Sequence, residues 1–211
     1  MARRSIQSKR VIVTGASSGI GFEIVKQLLQ LGCQVVATAR RKERLEELLP
    51  YAEEPSRLEL VPGDVTDPQL RDELVERVQS SFGGLDILIN NAGVSGLGKF
   101  ENSSEECLRQ VMEVNFFAPV ELIRKAMPLL RVGIQPIVVN ISSVLGHRAV
   151  PEKSEYCASK FALHGFSDSL RAELGSEVDV LLVSPSTTQS EFFAHAVENS
   201  SQRDWTPKKA M

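Results

Sequence analysis

Six short apolar runs, each separated from the next by a stretch with helical spacing, leave this chain few folds to choose from. The runs are Arg10–Thr14, Gln34–Ala39, 58–61, 85–89, 136–141 and Asp179–Val183. They are short, rich in valine and isoleucine and bounded by turn residues, as fully buried strands are. Between them apolar residues recur three and four positions apart. Ile20, Ile24, Leu28 and Leu31 share one side of a helix over 20–31 that Gly32 stops. A short helix over 42–49 ends at Pro50. Asp67 followed by Pro68 reads as an N-cap with proline at the first helical position, opening a helix to about Ser81. Ser103 and Glu106 have the spacing of a capping box for the next helix, which continues to about Leu130 with a kink expected at Pro119. Ser154–Leu174 is a long helix that Gly175 stops. Strands that alternate with helices are joined by right-handed crossovers, so the sheet is parallel and covered on both faces. The expectation is an α/β fold: one Rossmann-type doubly wound domain over 1–211, strand order 3-2-1-4-5-6.

Composition narrows the function. With 211 residues, 42% of them hydrophobic, the chain suits one core that buries roughly 70% of the unfolded surface. A net charge of -3 with no Lys/Arg block argues against nucleic acid as a partner. The basic start, 1–10, lacks a following apolar region, and Val11 to Val13 is too short to span a membrane, so neither a secretory signal nor a membrane partner is expected. Cys33, Cys107 and Cys157 are odd in number and far apart, which suits a reducing, cytoplasmic compartment better than a disulfide framework. Together with His147, His164 and His195 they show no metal-ligand spacing, so no metal is expected.

In open α/β sheets a ligand binds outside the carboxyl ends of the strands, where the strand order reverses. The chemically unusual residues of this chain fall there. Strand 1 runs into Thr14-Gly-Ala-Ser-Ser-Gly-Ile-Gly21, whose glycines let backbone approach a pyrophosphate at a helix N-terminus. Gly15, Ser17, Ser18, Gly19, Ile20 and Gly21 are the candidates. Strand 2 ends in Arg40 and Arg41, with no acid before Glu43. A carboxylate at this point suits the ribose of NAD, whereas an arginine suits the 2′-phosphate of NADP. The same pair also fits a solvated helix start. Asp64 and Val65, after strand 3, are placed for an adenine, and Asp64 serves equally as a turn aspartate. Asn91, Ala92 and Gly93, after strand 4, offer small residues beside the glycine loop, or a plain turn. Ser142 and Ser143 end strand 5, and thirteen positions after Ser143 comes Tyr156. Tyr156 and Lys160 are four apart and share a helix face. A polar loop, 184–190, follows strand 6.

Thr14-Gly-x-x-x-Gly-x-Gly21, Asn90-Asn-Ala-Gly93, Asn115, Ser143 and Tyr156-x-x-x-Lys160 together resemble the compact form of the short-chain dehydrogenase/reductase family, over nearly the whole chain. The resemblance implies an oxidoreductase that interconverts a carbonyl and an alcohol by hydride transfer, with NADP(H) preferred over NAD(H) on the strength of Arg40 and Arg41. The implied catalytic set is Asn115, Ser143, Tyr156 and Lys160. Tyr156 is the general acid/base, Ser143 polarises the substrate carbonyl, Lys160 holds the ribose hydroxyls, and Asn115 helps place a water. Asn115 also reads as a mark of local helix distortion. Lowering a phenol from ~10 to about 7 asks for roughly 4 kcal/mol, expected from Lys160 and from oxidised nicotinamide. Pro185, Thr188 and Ser190 stand where the family meets the nicotinamide carboxamide, although Ser186 replaces the family's usual glycine. Ser143, Leu145, Tyr156 and Phe192 are expected to touch substrate. Residues 186–211 are expected to form a substrate flap, with Phe192, Phe193 and His195, and a tail. The chain ends at Met211, where the family continues with another helix and a seventh strand, so the sheet is expected to lack that strand. The chain is either naturally short or part of a longer one. The resemblance also implies a homodimer or homotetramer that pairs the helices at 104–130 and 154–174.

Overall fold

The computed structural model describes residues 5–186, Phe192 and 196–201. The described residues form one sheet of six parallel strands. In chain order these are β1 (Arg10–Thr14), β2 (Gln34–Ala39), β3 (Leu58–Pro62), β4 (Ile87–Asn90), β5 (Ile137–Ile141) and β6 (Asp179–Val183). Their order across the sheet is β3-β2-β1-β4-β5-β6, as the alternation of elements requires. The helices are α1 (Gly19–Gln30), α2 (Lys42–Glu46), α3 (Pro68–Phe82), α4 (Glu105–Met112), α5 (Ala118–Arg131) and α6 (Ser154–Leu174).

The period-2 rule for strands divides the core. Ile12 of β1 packs with Leu88, Val138 and Val180 against α3 and α5, through Leu74, Val78, Leu122 and Leu130. Its neighbours Val11 and Val13 point the other way, with Val35, Ala37 and Ile89, against Val25, Leu28 and Leu29 of α1. Side chains buried this fully contribute roughly 1.5–3 kcal/mol each. A third cluster, Val65, Val94, Cys107, Val111, Val114 and Ala118, lies beside the carboxyl ends of the strands. A buried polar ladder crosses the sheet there as well. Asn90 Nδ2 donates to Asn140 Oδ1 (2.9 Å), Asn140 Nδ2 to Ser167 Oγ (2.9 Å), and Ser167 Oγ to the Leu163 carbonyl (2.7 Å), which fixes α6 on β5 and β4.

Three local expectations need correction. Ser104, not Ser103, caps α4, its Oγ accepting from Cys107 N at 3.1 Å. The distortion expected at Pro119 lies earlier, as a π-helical turn over Glu113–Phe117. Pro119 follows that turn directly, at the second position of α5, in a helix that runs on without a break. Strand β4 starts at Ile87, two residues later than expected, and the Asp86 carboxylate just before it ties the strand to its neighbours. Its Oδ2 accepts from Arg10 N and Nε (both 3.0 Å), and its Oδ1 accepts from Arg10 Nη2 and Ile134 N (both 2.7 Å).

Candidate active site

At the reversal between β1 and β4 the two strand ends interlock. Thr14 Oγ1 accepts from Asn91 N and Ala92 N, both at 3.0 Å, and Asn91 Nδ2 donates to the Thr14 and Gly15 carbonyls, both at 3.0 Å. This packing admits no side chain at Gly15, whose φ is +68° and whose added Cβ would lie 2.7 Å from Ala92 Cα. At Gly21 a Cβ would lie 2.4 Å from the Gly15 carbonyl oxygen. Gly21 does not line the cavity described below, so its place is in packing α1 onto the loop. Ser18 precedes α1 without a side-chain cap, and the first turn carries no acid. Its N–H groups are therefore offered to an anion.

Beside the loop, Arg41 Nη2 donates to Ser17 Oγ (3.3 Å) and Ser18 Oγ (3.1 Å). A guanidinium and two hydroxyls thus converge at the end of β2. Thr38 Oγ1 is buried there without a hydrogen-bond partner. Asp64 Oδ1 accepts from Thr66 N (2.9 Å) and Thr66 Oγ1 (2.8 Å), so the turn reading of this residue holds while its carboxylate also lines the cavity.

The reaction chemistry gathers at β5 and α6. Tyr156, Ser159 and Lys160 are buried on α6, at spacings that place Tyr156 and Lys160 one turn apart. Lys160 Nζ donates to the Ile141 carbonyl at 3.0 Å and lies 5.7 Å from the Tyr156 ring centroid. Ser143 opens the turn Val144–Gly146, its Oγ accepting from Leu145 N at 3.1 Å, and its hydroxyl favours the Tyr156 phenolate. Phe192 packs edge-on against the Tyr156 ring with centroids 5.6 Å apart. Burial pushes the Tyr156 phenol up to about 12, against the downward pull of the Ser143 hydroxyl. The lowering expected from Lys160 and oxidised nicotinamide has to start from this raised value. Lys160 is itself buried, and burial brings its ammonium down to about 8.

Asn115 lies in the π-helical turn, in agreement with the distortion reading. Its Nδ2 donates to the Val94 carbonyl and to Ser159 Oγ, both at 2.9 Å, while its Oδ1 accepts from Val94 N at 2.8 Å. The side chain is thus used to tie the loop after β4 to α6. It does not line the cavity.

One cavity of about 430 Å³ joins these groups. Among the expected cofactor residues, Gly15, Ser17, Ser18, Gly19, Ile20, Arg40, Arg41, Asp64, Val65, Asn91, Ala92, Gly93, Tyr156, Lys160 and Pro185 line it. So do Ser143, Leu145 and Phe192. Thr188, Ser190, Phe193 and His195 lie outside the described residues. The cavity also takes in Ser142 and Ser186, expected from the strand-end hydroxyl pair and the loop after strand 6, and Thr38, Val94, Val114, Val150 and Lys153, which the sequence does not mark for it. Ser142, next to Ser143 in a hydroxyl pair that ends a strand, carried a usable signal; the valines carried none, because an apolar wall and an apolar core read alike. The donor set suits a nicotinamide dinucleotide. The cavity offers a backbone cradle that a Cβ would fill, uncapped helix N–H groups, an orphaned Thr38 hydroxyl and an arginine beside two serines.

Among the described residues no helix is long and apolar enough to cross a membrane, and no group of three or more His, Cys, Asp or Glu could hold a metal ion.

Comparison with known proteins gives the family. Residues 9–201 match the model of the short chain dehydrogenases. An uncharacterized oxidoreductase of Staphylococcus saprophyticus is 32% identical over 203 residues, 95% of this chain and 82% of that one. Dehydrogenase/reductase SDR family member 7 of Homo sapiens is 36% identical over 197 residues, 90% of this chain but only 57% of the human protein. The chain thus spans little more than half the length of that relative. Among solved structures, a short-chain dehydrogenase from Streptomyces avermitilis superposes with a TM-score of 0.82 at 37% identity, over 90% of this chain and 70% of that one. This chain belongs to the short-chain dehydrogenase/reductase family.

Proposed function

We propose that this member of the short-chain dehydrogenase/reductase family reduces a carbonyl group on a small organic substrate, or oxidises the matching alcohol, and uses NADP(H) in preference to NAD(H). The observation that carries the reading is the convergence of Ser143, Tyr156 and Lys160 in the same cavity as the glycine loop. A nicotinamide cofactor held there supplies or accepts the hydride, and its oxidised ring adds a positive charge. Gly15, Gly19 and the open first turn of α1 would hold its pyrophosphate, and Arg41 with Ser17 and Ser18 its 2′-phosphate.

With its phenol at about 12, Tyr156 stays protonated at neutral pH and is ready to give its Oη proton to a substrate oxygen. Ser143 Oγ donates to the same oxygen and stabilises the charge that develops on it. Lys160, with three N–H donors, bonds Ile141 and has donors left for the ribose hydroxyls. Phe192 covers the phenol ring and helps exclude water. The oxidative direction needs the phenolate. Reduction leaves the same phenolate behind, so the roughly 7 kcal/mol that separates about 12 from about 7 bears on both directions and is expected from the charge of a bound oxidised nicotinamide. Asn115 acts in this reading by holding Val94 and Ser159, with any water near Lys160 left to the π-turn backbone.

Titration with NADPH and NADH, followed by cofactor fluorescence, tests the reading together with a screen of carbonyl compounds. Tight NADPH binding, weak NADH binding and turnover are expected. Binding without any turnover would point instead to a nucleotide sensor on the same fold. Leu108, Phe117 and Phe161 are exposed on α4, the π-turn and α6, which supports pairing of two copies through these helices. Light scattering that found only monomer would end that part of the proposal. Three buried free cysteines support a reducing, cytoplasmic setting.

A further inference from the structure

One turn beyond Lys160 on α6, His164 sits 9% exposed with its Nε2 lacking any hydrogen-bond partner. Its ring presses on Gly146 so closely that a Cβ there would lie 2.5 Å from Nε2. The His147 ring stands edge-on against it, with centroids 4.2 Å apart and planes at 77°. His147 is exposed, and its Nε2 shares a hydrogen bond with Ser184 Oγ at 3.1 Å. Three segments therefore meet at the two rings. The first is α6, which carries Tyr156 and Lys160. The second is the turn that follows Ser143. The third is the chain after β6, tied to that turn by Val144 N donating to the Pro185 carbonyl at 3.0 Å. Pro185 and Ser186 line the cavity, as do Ser143, Val144 and Leu145.

We propose that His164 and His147 are paired positioning residues: with both rings neutral they hold the Ser143 turn and the Pro185 loop against the cavity, and a proton on His164 loosens both. The inference rests on the reading that Ser143 polarises the reacting carbonyl. In the neutral ring one nitrogen can remain an acceptor, so an unpartnered Nε2 is tolerable; in the imidazolium both nitrogens are donors, and Nε2 faces Gly146 with nothing to accept from it. The charged groups around His164 point the same way. Burial disfavours its cation first, His147 from the turn second, and Lys160 from α6 adds to both, while Asp168, also on α6, favours it. Arg148, exposed beside His147, adds positive charge to the turn, and Ser184 brings only a hydroxyl from the β6 side. The net result holds His164 below the ordinary histidine value. Acidification is therefore expected to charge His164 late, and to move the turn when it does.

The test is a pH titration of the whole chain by NMR, read at the histidine rings and at the amides of Ser143, Val144 and Leu145, for the native protein, His147→Asn and His164→Gln. The His164 ring signal, identified by its loss in His164→Gln, should titrate below the ordinary histidine range, and the three amides should shift with the same midpoint. His147→Asn keeps a hydrogen-bonding side chain but removes a ring that disfavours the His164 cation, so the midpoint should move up in pH. His164→Gln should abolish the acid transition of the amides. Turnover, once a carbonyl substrate is in hand, should lose kcat along the same limb while the Kd for NADPH stays within about twofold. Amides that ignore the His164 titration would overturn the proposal, and so would an unmoved midpoint in His147→Asn. If His164→Gln fails to fold, the exposed His147→Asn variant alone decides. Absence of turnover on every carbonyl would count against the proposed function and leave this ring-and-amide test intact.

Discussion

At the β1 end of the cavity the wall is main chain, whereas at the β5 end it is side chain. Gly15 and Gly21 leave no space for a Cβ, and Thr14 and Asn91 lock the loop by bonding to backbone atoms. At the other end Ser143, Tyr156 and Lys160 reach in from a strand end and a helix, and their chemistry is set by how deeply they are buried. The first end is a shape and the second a set of ionisation states. A methyl group is enough to break the shape. The ionisation states should be nearly indifferent to small changes in volume and sensitive to the loss of one oxygen or one proton.

The sharpest test of the contrast removes one oxygen. Tyr156→Phe keeps the ring against Phe192 and should lower kcat by roughly 10²–10⁴-fold, the usual weight of a general acid, with NADPH affinity within about twofold by fluorescence titration. If NADPH binding collapsed too, the two ends would not be separable. Next in size is the arginine that sits on the shaped end. Arg41→Ala removes a charged donor beside Ser17 and Ser18 and should weaken NADPH by ~10–150-fold, from roughly 1.5–3 kcal/mol, while NADH changes little. Equal losses for both cofactors would break the NADP reading. Gly21→Ala should act in the opposite manner to Tyr156→Phe. Overpacking against the Gly15 carbonyl costs about 1–3 kcal/mol and lowers Tm by roughly 2–4 °C for each, with a weaker cofactor complex and a near-native kcat at saturation. A calorimetric scan and one saturation curve check it.

The smallest effect concerns the phenol itself. The chain has two tyrosines, so phenolate absorbance in Tyr51→Phe reports Tyr156 alone. In the cofactor-free protein the phenolate should appear only near pH 12. Because burial penalises the phenolate, the folded state keeps its proton after the unfolded chain has lost it. Stability should therefore fall as pH rises from about 10 to about 12. Added NADP+ should draw the transition down. A phenol that ionises near pH 7 without cofactor would make the β5 end as preset as the β1 end.

Much of the frame was legible because it depends on local pattern. The bounds of β1, β2, β6 and α6 follow from apolar runs and helix stops, and the strand order follows from alternation alone. Asp67 as the cap of α3 needs only its own side chain, which accepts from Gln69 N at 2.9 Å. The failures came where partners lie far apart in the chain. Ser103 has the glutamate three positions on and Ser104 has a cysteine there, yet Ser104 is the cap, and Glu198, ninety-four positions away, accepts from its N and Oγ at 3.2 and 2.8 Å. Pro119 signals a distortion, and the π-turn that carries it lies just before it, at Glu113–Phe117.

The sequence by itself determined a doubly wound parallel sheet, a glycine loop at its switch point, and a serine, tyrosine and lysine at the spacing of one family. These depend on periodicity and on residues near one another in the chain. Only the tertiary structure decided what state those groups are in. It encloses Tyr156 enough to raise its phenol and Lys160 enough to lower its ammonium. It turns the Asn115 side chain onto Val94 and Ser159, and it leaves His164 pressed between Gly146 and His147. Burial and long-range contact set these outcomes, and neither exists until the strands have brought distant segments together.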